Sequence, residues 1–550
     1  MAEWWKNAIV YQIYPKSFKD SNGDGIGDLA GITEKLDYLH DLGINVLWIN
    51  PVYCSPMKDN GYDISDYYKV DPIFGSNADI DRLLEEAEKR DIKILLDLVV
   101  NHCSDQHPWF QKAIADPDCE EAGYFYFKTT DDDEMPNNWR SNFGGPVWSR
   151  LPDKRWYFHT FSPQQPDLNW ENPKLREKIY AMINWWLDKG IAGFRIDAIT
   201  FIKKDPSFAS RKTEDGYLYP IENLTDYPGI DVFLTELKQR TFARYDCMTV
   251  AEAPGVTGET FRAYAGENGY FSMIFDFTWE NMEGEKDKSD IAAVERWKNR
   301  IFRSQTFMYR NGWPGIFLEN HDQSRCVNKF LEKDCRNRHS ITAMAVVYFY
   351  LYGTPFIYQG QEIGMTNVTW KNIDEMDDVR AKGMYQEAVQ RNEDPTPVLE
   401  YFSELGRDNA RTPMQWDDSA NAGFTTGKPW IKVNENYPSL NVAGQEQDPS
   451  SVLSFYKKLT RVRRDPDYQE LFAKGTFAPL YEDVPALIAY TRSCPSQTMS
   501  VIVNFKNREQ SVPSVKGKCI LNNFDTLTDT DGRLLLRPYQ AVVFMDDAAN

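Results

Sequence analysis

The chain has 550 residues, room for three or four units of ordinary domain size, and its 62 Lys+Arg stand against 82 Asp+Glu for a net charge of −20. That sign excludes nucleic acid or an anionic membrane surface as the main partner, because neither attracts an acidic surface. With 42% hydrophobic and 26% charged residues, the composition is that of a chain with a large core, not of a disordered one.

No run approaches the roughly 18 apolar residues of a membrane span, and Met1 to Asn7 lack the apolar stretch of a signal peptide. The 8 cysteines are scattered without a CxxC, so reduced thiols and a cytoplasmic address are expected. The expected oligomeric state is a monomer or a weak homo-oligomer.

In chain order, Ala8–Ile13 reads as a buried strand and Ile32–Leu42 as a helix with apolar residues at helical spacing. Val46–Ile49 follows as a strand, then a helix over Asn77–Arg90 with an Asx N-cap, then a strand over Lys93–Val100. This β-α-β-α-β order predicts parallel strands with helical crossovers. From Asn101 to Asn172 the rhythm stops in a segment rich in Asp, Pro, Trp and Phe, read as an inserted subdomain. It resumes with a helix over Pro173–Lys189, whose proline suits the first helical position.

Strands four to eight are expected at Gly193–Ile196, Met248–Ala251, Phe271–Phe275, Gly315–Leu318 and Pro355–Tyr358. Eight such units make the fold class α/β, a (β/α)8 barrel over 1–100 and 173–473, interrupted by the subdomain at 101–172. After Gly475 the pattern becomes alternating runs (Ala486–Thr491, Met499–Phe505, Ala541–Met545), which predicts an antiparallel β-sandwich over 474–550.

In such a barrel, function sits at the C-terminal ends of the strands. Four of those ends carry polar groups: Asp97 with Asn101 and His102, Arg195 with Asp197, Glu252, and Glu319 with His321 and Asp322. One Asp at a strand end is commonly a helix cap. Several converging acids need another reason, since burying them together costs several kcal/mol unless they are paired. Asp197 and Glu252 come from adjacent strands about 4.8 Å apart, which suits the roughly 5–5.5 Å carboxyl spacing of a retaining glycosidase. Arg195 is expected to keep Asp197 ionised as a nucleophile. Desolvation is expected to hold a proton on Glu252, the general acid.

These blocks, with Gly61-Tyr62-Asp63 and Gln165-Pro166-Asp167-Leu168-Asn169-Trp170, resemble glycoside hydrolase family 13, the α-amylase family. The opening from Trp4 through Tyr14-Pro15-Lys16-Ser17-Phe18, and Arg411-Thr412-Pro413-Met414-Gln415-Trp416, resemble its oligo-1,6-glucosidase and α-glucosidase branch. The resemblance implies Asp197 as nucleophile, Glu252 as general acid/base and Asp322 as the third carboxylate. It implies His102, Arg195 and His321 around the glucose at the −1 site, and Asp59, Tyr62 and Arg411 at the pocket floor, with an Asp59–Arg411 pair closing it. Phe143 and Phe161 are candidate rings beside the sugar or, equally, packing residues.

Asp20-Ser21-Asn22-Gly23-Asp24-Gly25-Ile26-Gly27-Asp28 places oxygen ligands at alternate positions like the start of an EF-hand loop, but Gly31 stands where the loop's closing Glu belongs. The resemblance implies a structural Ca2+ held by Asp20, Asn22, Asp24, the Ile26 carbonyl and Asp28; a metal-free Asx/Gly turn is the alternative. No catalytic cofactor is implied.

The implied activity is that of a retaining, exo-acting α-glucosidase releasing α-glucose from the non-reducing end of short α-glucosides. Ala198, after the nucleophile, is small where α-1,6-preferring relatives often carry Val. That tilts the expected substrate towards α-1,4 links, namely maltose and malto-oligosaccharides, with isomalto-oligosaccharides and sucrose also admitted. Sucrose isomerase, transglucosylase and trehalose-6-phosphate hydrolase share the fold. For the last, Lys329, Lys333, Arg336 and Arg338 are the local cations, otherwise read as a solvated helix face. Relatives that act as non-catalytic transporter subunits have lost the catalytic acids, whereas Asp197, Glu252 and Asp322 are all present here.

Overall fold

The computed structural model describes residues 3–131, 134–213, 218–279, 282, 288 and 290–547. Eight short apolar strands, β1 (Val10–Ile13), β2 (Val46–Ile49), β3 (Lys93–Val99), β4 (Gly193–Asp197), β5 (Met248–Ala251), β6 (Met273–Phe275), β7 (Pro314–Ile316) and β8 (Thr354–Tyr358), close into one parallel barrel. Their order around the barrel is β1-β8-β7-β6-β5-β4-β3-β2, the arrangement that right-handed crossovers produce. Every strand is buried apart from Lys93 at the start of β3, as expected where helices cover the sheet's outer face.

Two details of this packing position the site. Arg195 on β4 lies in register with Asp97 on β3 and with Val250 on β5, so one inward-facing row carries the guanidinium between two neighbouring strands. Gly193, with φ of 143°, begins β4 where an added Cβ would stand 1.8 Å from the Met248 carbonyl oxygen. Only glycine lets β4 and β5, which deliver Asp197 and Glu252, approach this closely.

Several helix boundaries differ from expectation. The helix expected over 32–42 is two, Leu29–Glu34 and Leu36–Leu42, and the first is capped by the Asp28 side chain, which accepts from the Gly31 amide. The helix Asn77–Glu88 starts from Ser76, with Asp79 completing a capping box, so the cap is one residue earlier than the expected Asx. Pro173–Asp188 begins with its proline in the first turn and is capped by Asn172.

The inserted segment builds a small antiparallel sheet from Phe127–Lys128, Trp148–Arg150 and Trp156–Phe158. Its strand Trp139–Arg140 pairs with Tyr219–Pro220, beyond β4, so the subdomain recruits chain from outside 101–172. At the C-terminus, a five-stranded antiparallel sheet beginning at Thr476 and a three-stranded one (Gln510–Pro513, Thr528–Thr530, Arg533–Leu536) enclose a second core around Leu487, Ile502, Leu534 and Val542. Among the described residues, no helix is long and apolar enough to cross a membrane.

Candidate active site

At the C-terminal mouth of the barrel a cavity of about 520 Å3 is lined by Asp59, Tyr62, His102, Asp197, Glu252 and Asp322, with Phe143, Phe161, Ala198 and Arg407 completing its wall. A second cavity of about 340 Å3 adjoins it and shares Glu252, Asp322, Arg380 and Arg407. A larger cavity, about 860 Å3, includes Trp5, Cys247, Thr249 and Trp313 in its walls and holds none of the expected catalytic acids.

Arg195, buried beneath the first cavity, organises the acids. Its Nη1 donates to Asp97 Oδ1 at 2.7 Å and to Asp197 Oδ1 at 2.8 Å, and its Nη2 donates to Glu252 Oε2 at 2.5 Å. One guanidinium fork thus holds the carboxyls from β4 and from the end of β5, in the paired geometry to which guanidinium is suited.

The electrostatics correct one expectation. Burial pushes the Asp197 carboxyl up; Arg195 pulls it down, but the charges of Asp97 and Asp322 raise it again, and it comes to about 7. Burial likewise raises Glu252, against Arg195 and with Asp197 and Asp322, also to about 7. Arg195 therefore does not by itself keep Asp197 ionised. On both carboxyls burial and neighbouring acids outweigh the pull of the one cation beneath them, and each is raised above the usual carboxylate range.

Asp322 is the opposite case. Burial pushes its carboxyl up, but His321, Arg407 and Arg411 outweigh this and hold it well below the usual carboxylate range. The contacts are His321 Nε2 at 2.9 Å, Arg407 Nη1 at 3.1 Å and Arg411 Nη2 at 2.9 Å.

Tyr62 and His321 stack with ring centroids 5.3 Å apart. His321 Nε2 meets the Tyr62 hydroxyl at 2.7 Å and its Nδ1 meets Gln12 Nε2 at 2.8 Å. The Tyr62 hydroxyl donates to Asp97 Oδ2 at 3.0 Å. His102 is buried, which lowers its pKa, and its Nε2 lies 3.0 Å from the Tyr62 carbonyl oxygen. A neutral imidazole results, edge-on to Phe161 at 5.2 Å. Phe143 and Phe161 lie 5.4 Å apart on the cavity wall, so both rings face the cavity.

The floor pair is Asp59 with Arg407, not with Arg411. Arg407 Nη2 donates to Asp59 Oδ1 at 2.9 Å, and its Nε donates to Asp378 Oδ1 at 2.7 Å. Arg411 lies behind the wall, donating to the His321 carbonyl oxygen at 3.0 Å as well as to Asp322. The two arginines stand four positions apart (407 and 411), and sequence alone does not say which one reaches the cavity. The pair of like residues at one-turn spacing was the available signal. Arg195, His321 and Arg411 support the cavity from behind, while the other expected substrate-binding residues line it. Glu319, at the end of the seventh unit, is structural: it is fully buried and pairs with Arg325 at 3.1 Å. Lys329 is buried rather than on a solvated face, with its Nζ donating to the Leu318 carbonyl oxygen at 2.6 Å.

The loop expected to hold calcium is closed by its own amides. Asp20 Oδ1 accepts from the Asn22 and Gly23 amides, Asn22 Oδ1 from Asp24, and Asp24 Oδ1 from Ile26. Asp28 accepts from Ser21 and Gly31. Among the described residues no group of three or more His, Cys, Asp or Glu side chains is placed to hold a metal ion. Asp20, Asn22 and Asp24 thus each close an Asx turn through a backbone amide while remaining at alternate positions of the loop.

Comparison with known proteins places this geometry. The family model for the α-amylase catalytic domain matches residues 12–471. The chain belongs to the α-amylase family. It is 42% identical to an oligo-1,6-glucosidase of Bacillus cereus, covering 98% of this chain and 99% of that one. It is 43% identical to a probable oligo-1,6-glucosidase of Bacillus subtilis, with the same coverage of each. Among solved structures it is similar to a trehalulose synthase of Pseudomonas mesoacidophila, at 38% identity and a TM-score of 0.92 over 99% of this chain and all of that one. It is also similar to a trehalose-6-phosphate hydrolase of Bacillus licheniformis, at 37% identity and a TM-score of 0.90 over 98% of this chain and 99% of that one. The family model ends at residue 471, before the sheets beyond the barrel, whereas the two solved structures match over 98–99% of the chain.

Proposed function

We propose that the protein is a retaining, exo-acting α-glucosidase that removes glucose from the non-reducing end of short α-glucosides. The observation that carries this reading is the fork of Arg195 between Asp197 and Glu252 beneath a cavity whose wall also holds the Asp59–Arg407 pair. Two carboxyls sharing one guanidinium suit the roughly 5–5.5 Å separation of a double displacement. An ion pair in the cavity wall suits the hydroxyls of a chain end and argues against passage of an internal unit.

In this reading one proton resides on the Asp197–Glu252 pair near neutral pH. With the proton on Glu252, Asp197 attacks the anomeric carbon while Glu252 protonates the departing glycosidic oxygen. Glu252, now ionised, then takes a proton from water as that water displaces Asp197. Asp322, held ionised by His321, Arg407 and Arg411, binds sugar hydroxyls and stabilises positive charge developing on the ring. No step uses a cation in the 20–28 loop.

Two observations bear on linkage. Ala198 leaves space beside the reacting centre and favours α-1,4 substrates, whereas the names of the Bacillus relatives favour α-1,6. The proposed substrates are both maltose-type and isomaltose-type oligosaccharides. Incubation with maltose, isomaltose, sucrose and trehalose 6-phosphate, with products followed by chromatography, tests the reading. Glucose from the first two, with little new disaccharide, is expected. Conversion of sucrose to an isomeric disaccharide as the dominant activity would overturn it.

A further inference from the structure

Among the described residues, the cations around the two cavities are committed to partners, with one exception. Arg195 is held by three carboxylates and Arg407 by Asp59, Asp322 and Asp378. Arg411 is held by Asp322, and Lys329 by the Leu318 carbonyl oxygen. Arg380 is exposed and lines both cavities, yet its guanidinium has no hydrogen bond or ion pair among the described residues. Its backbone is nonetheless fixed. It sits in the first turn of the helix Val379–Gln390, and its amide donates to the Asp378 cap at 2.9 Å, the same carboxyl that receives Arg407 Nε.

Charge is distributed unevenly along the two cavities. In the first, five carboxylates face only Arg380 and Arg407. In the second, Glu252, Asp322 and Asp378 face an equal number of cations, Lys329, Arg380 and Arg407. Glu252, which protonates the departing oxygen in the reading above, borders both, and on that reading the leaving group is assigned to the side of the second cavity. A guanidinium on that side presents a fork of donors matched to a carboxylate or a phosphate, and among the described residues no carboxylate stands within ion-pair distance of it.

We propose that Arg380 is the specificity-determining residue of the leaving-group site, and that it favours α-glucosides whose leaving unit carries an anionic group, carboxylate or phosphate. This rests on the glucosidase reading of the same site and names its preferred substrate class.

The test compares kcat/KM for two pairs of substrates, each differing by one anionic group: maltose with maltobionate, and trehalose with trehalose 6-phosphate. Wild type is expected to favour the anionic member of at least one pair, and the pair that responds tells carboxylate from phosphate. In Arg380→Gln the loss on that anionic member should exceed the loss on its neutral partner by about tenfold or more, the scale of a charge-assisted contact. Arg380→Lys should restore part of the difference. Preference for the neutral member in both pairs, or equal losses on both members in Arg380→Gln, overturns the proposal while leaving the glucosidase reading intact. Failure of wild type to release glucose from any of the four, or from p-nitrophenyl α-glucoside, takes down both.

Discussion

Asp197 and Glu252 both titrate near 7 above the single cation Arg195, and this fixes the expected pH behaviour. Below the pair's range a second proton silences the nucleophile; above it the proton needed by the leaving oxygen is lost. The kcat/KM profile should therefore be a narrow bell centred near neutrality, and a flat profile from acid to alkaline pH would contradict the pairing. The same shift has a stability consequence. A carboxyl raised from its unfolded value of about 4 to about 7 contributes its full stability below the lower value and loses it as pH rises through the upper. Asp197→Asn should thus abolish turnover while raising Tm at pH 8 more than at pH 5, measured by thermal melts at both. Glu252→Gln should damage maltose hydrolysis far more than hydrolysis of an activated aryl glucoside, whose leaving group needs no proton; equal losses would remove Glu252 from the acid's role. Asp197, Glu252 and Asp322 were legible in the sequence because strand ends in a barrel converge on one face. Their charge states were not, since these depend on how far burial outweighs one guanidinium.

At the scale of elements, Arg407 joins three loops: the one after β2 through Asp59, the one after β7 through Asp322, and the start of the helix Val379–Gln390 through Asp378. Arg407→Ala leaves three carboxylates short of a partner, and breaking buried pairs of this kind costs about 3–5 kcal/mol. Chemical denaturation should show that loss, and kcat/KM on maltose should fall about a hundredfold as the cavity wall shifts. An unchanged kcat/KM would mean that the floor of the glucose site lies elsewhere. The expectation of Arg411 in this role failed because two arginines one helical turn apart carry the same sequence signal, and only the short turn Arg407–Asn409 decides which reaches Asp59. The loop at 20–28 has the ligand spacing of a calcium loop, but its side chains already close a ladder of Asx turns. Calcium or a chelator should accordingly leave Tm unchanged; a shift of several degrees would show that the loop takes a cation after all.

Across the whole molecule, the eight barrel strands were readable because each is a short apolar run buried on both faces, and the C-terminal runs because turn residues separate them, although residues 486–490, 499–505 and 541–545 are themselves buried at every position. The inserted subdomain was readable only as a break in rhythm. Its sheets are two or three residues wide, and one borrows Tyr219–Pro220 from beyond β4, a long-range pairing with no local pattern. The barrel brings β4 and β5 together, the subdomain contributes Phe143 and Phe161, and the loop bearing Arg407 closes the far wall. In the proposed reading, together they make a pocket for one terminal glucose with paired carboxyls at its reacting end. The direct test of that claim is anomer-resolved NMR of the first glucose released from maltose and from a longer malto-oligosaccharide. The account predicts α-glucose from the start, with each longer chain shortened by one unit at its non-reducing end. Early β-glucose would contradict the double displacement, and internal fragments would contradict the closed pocket.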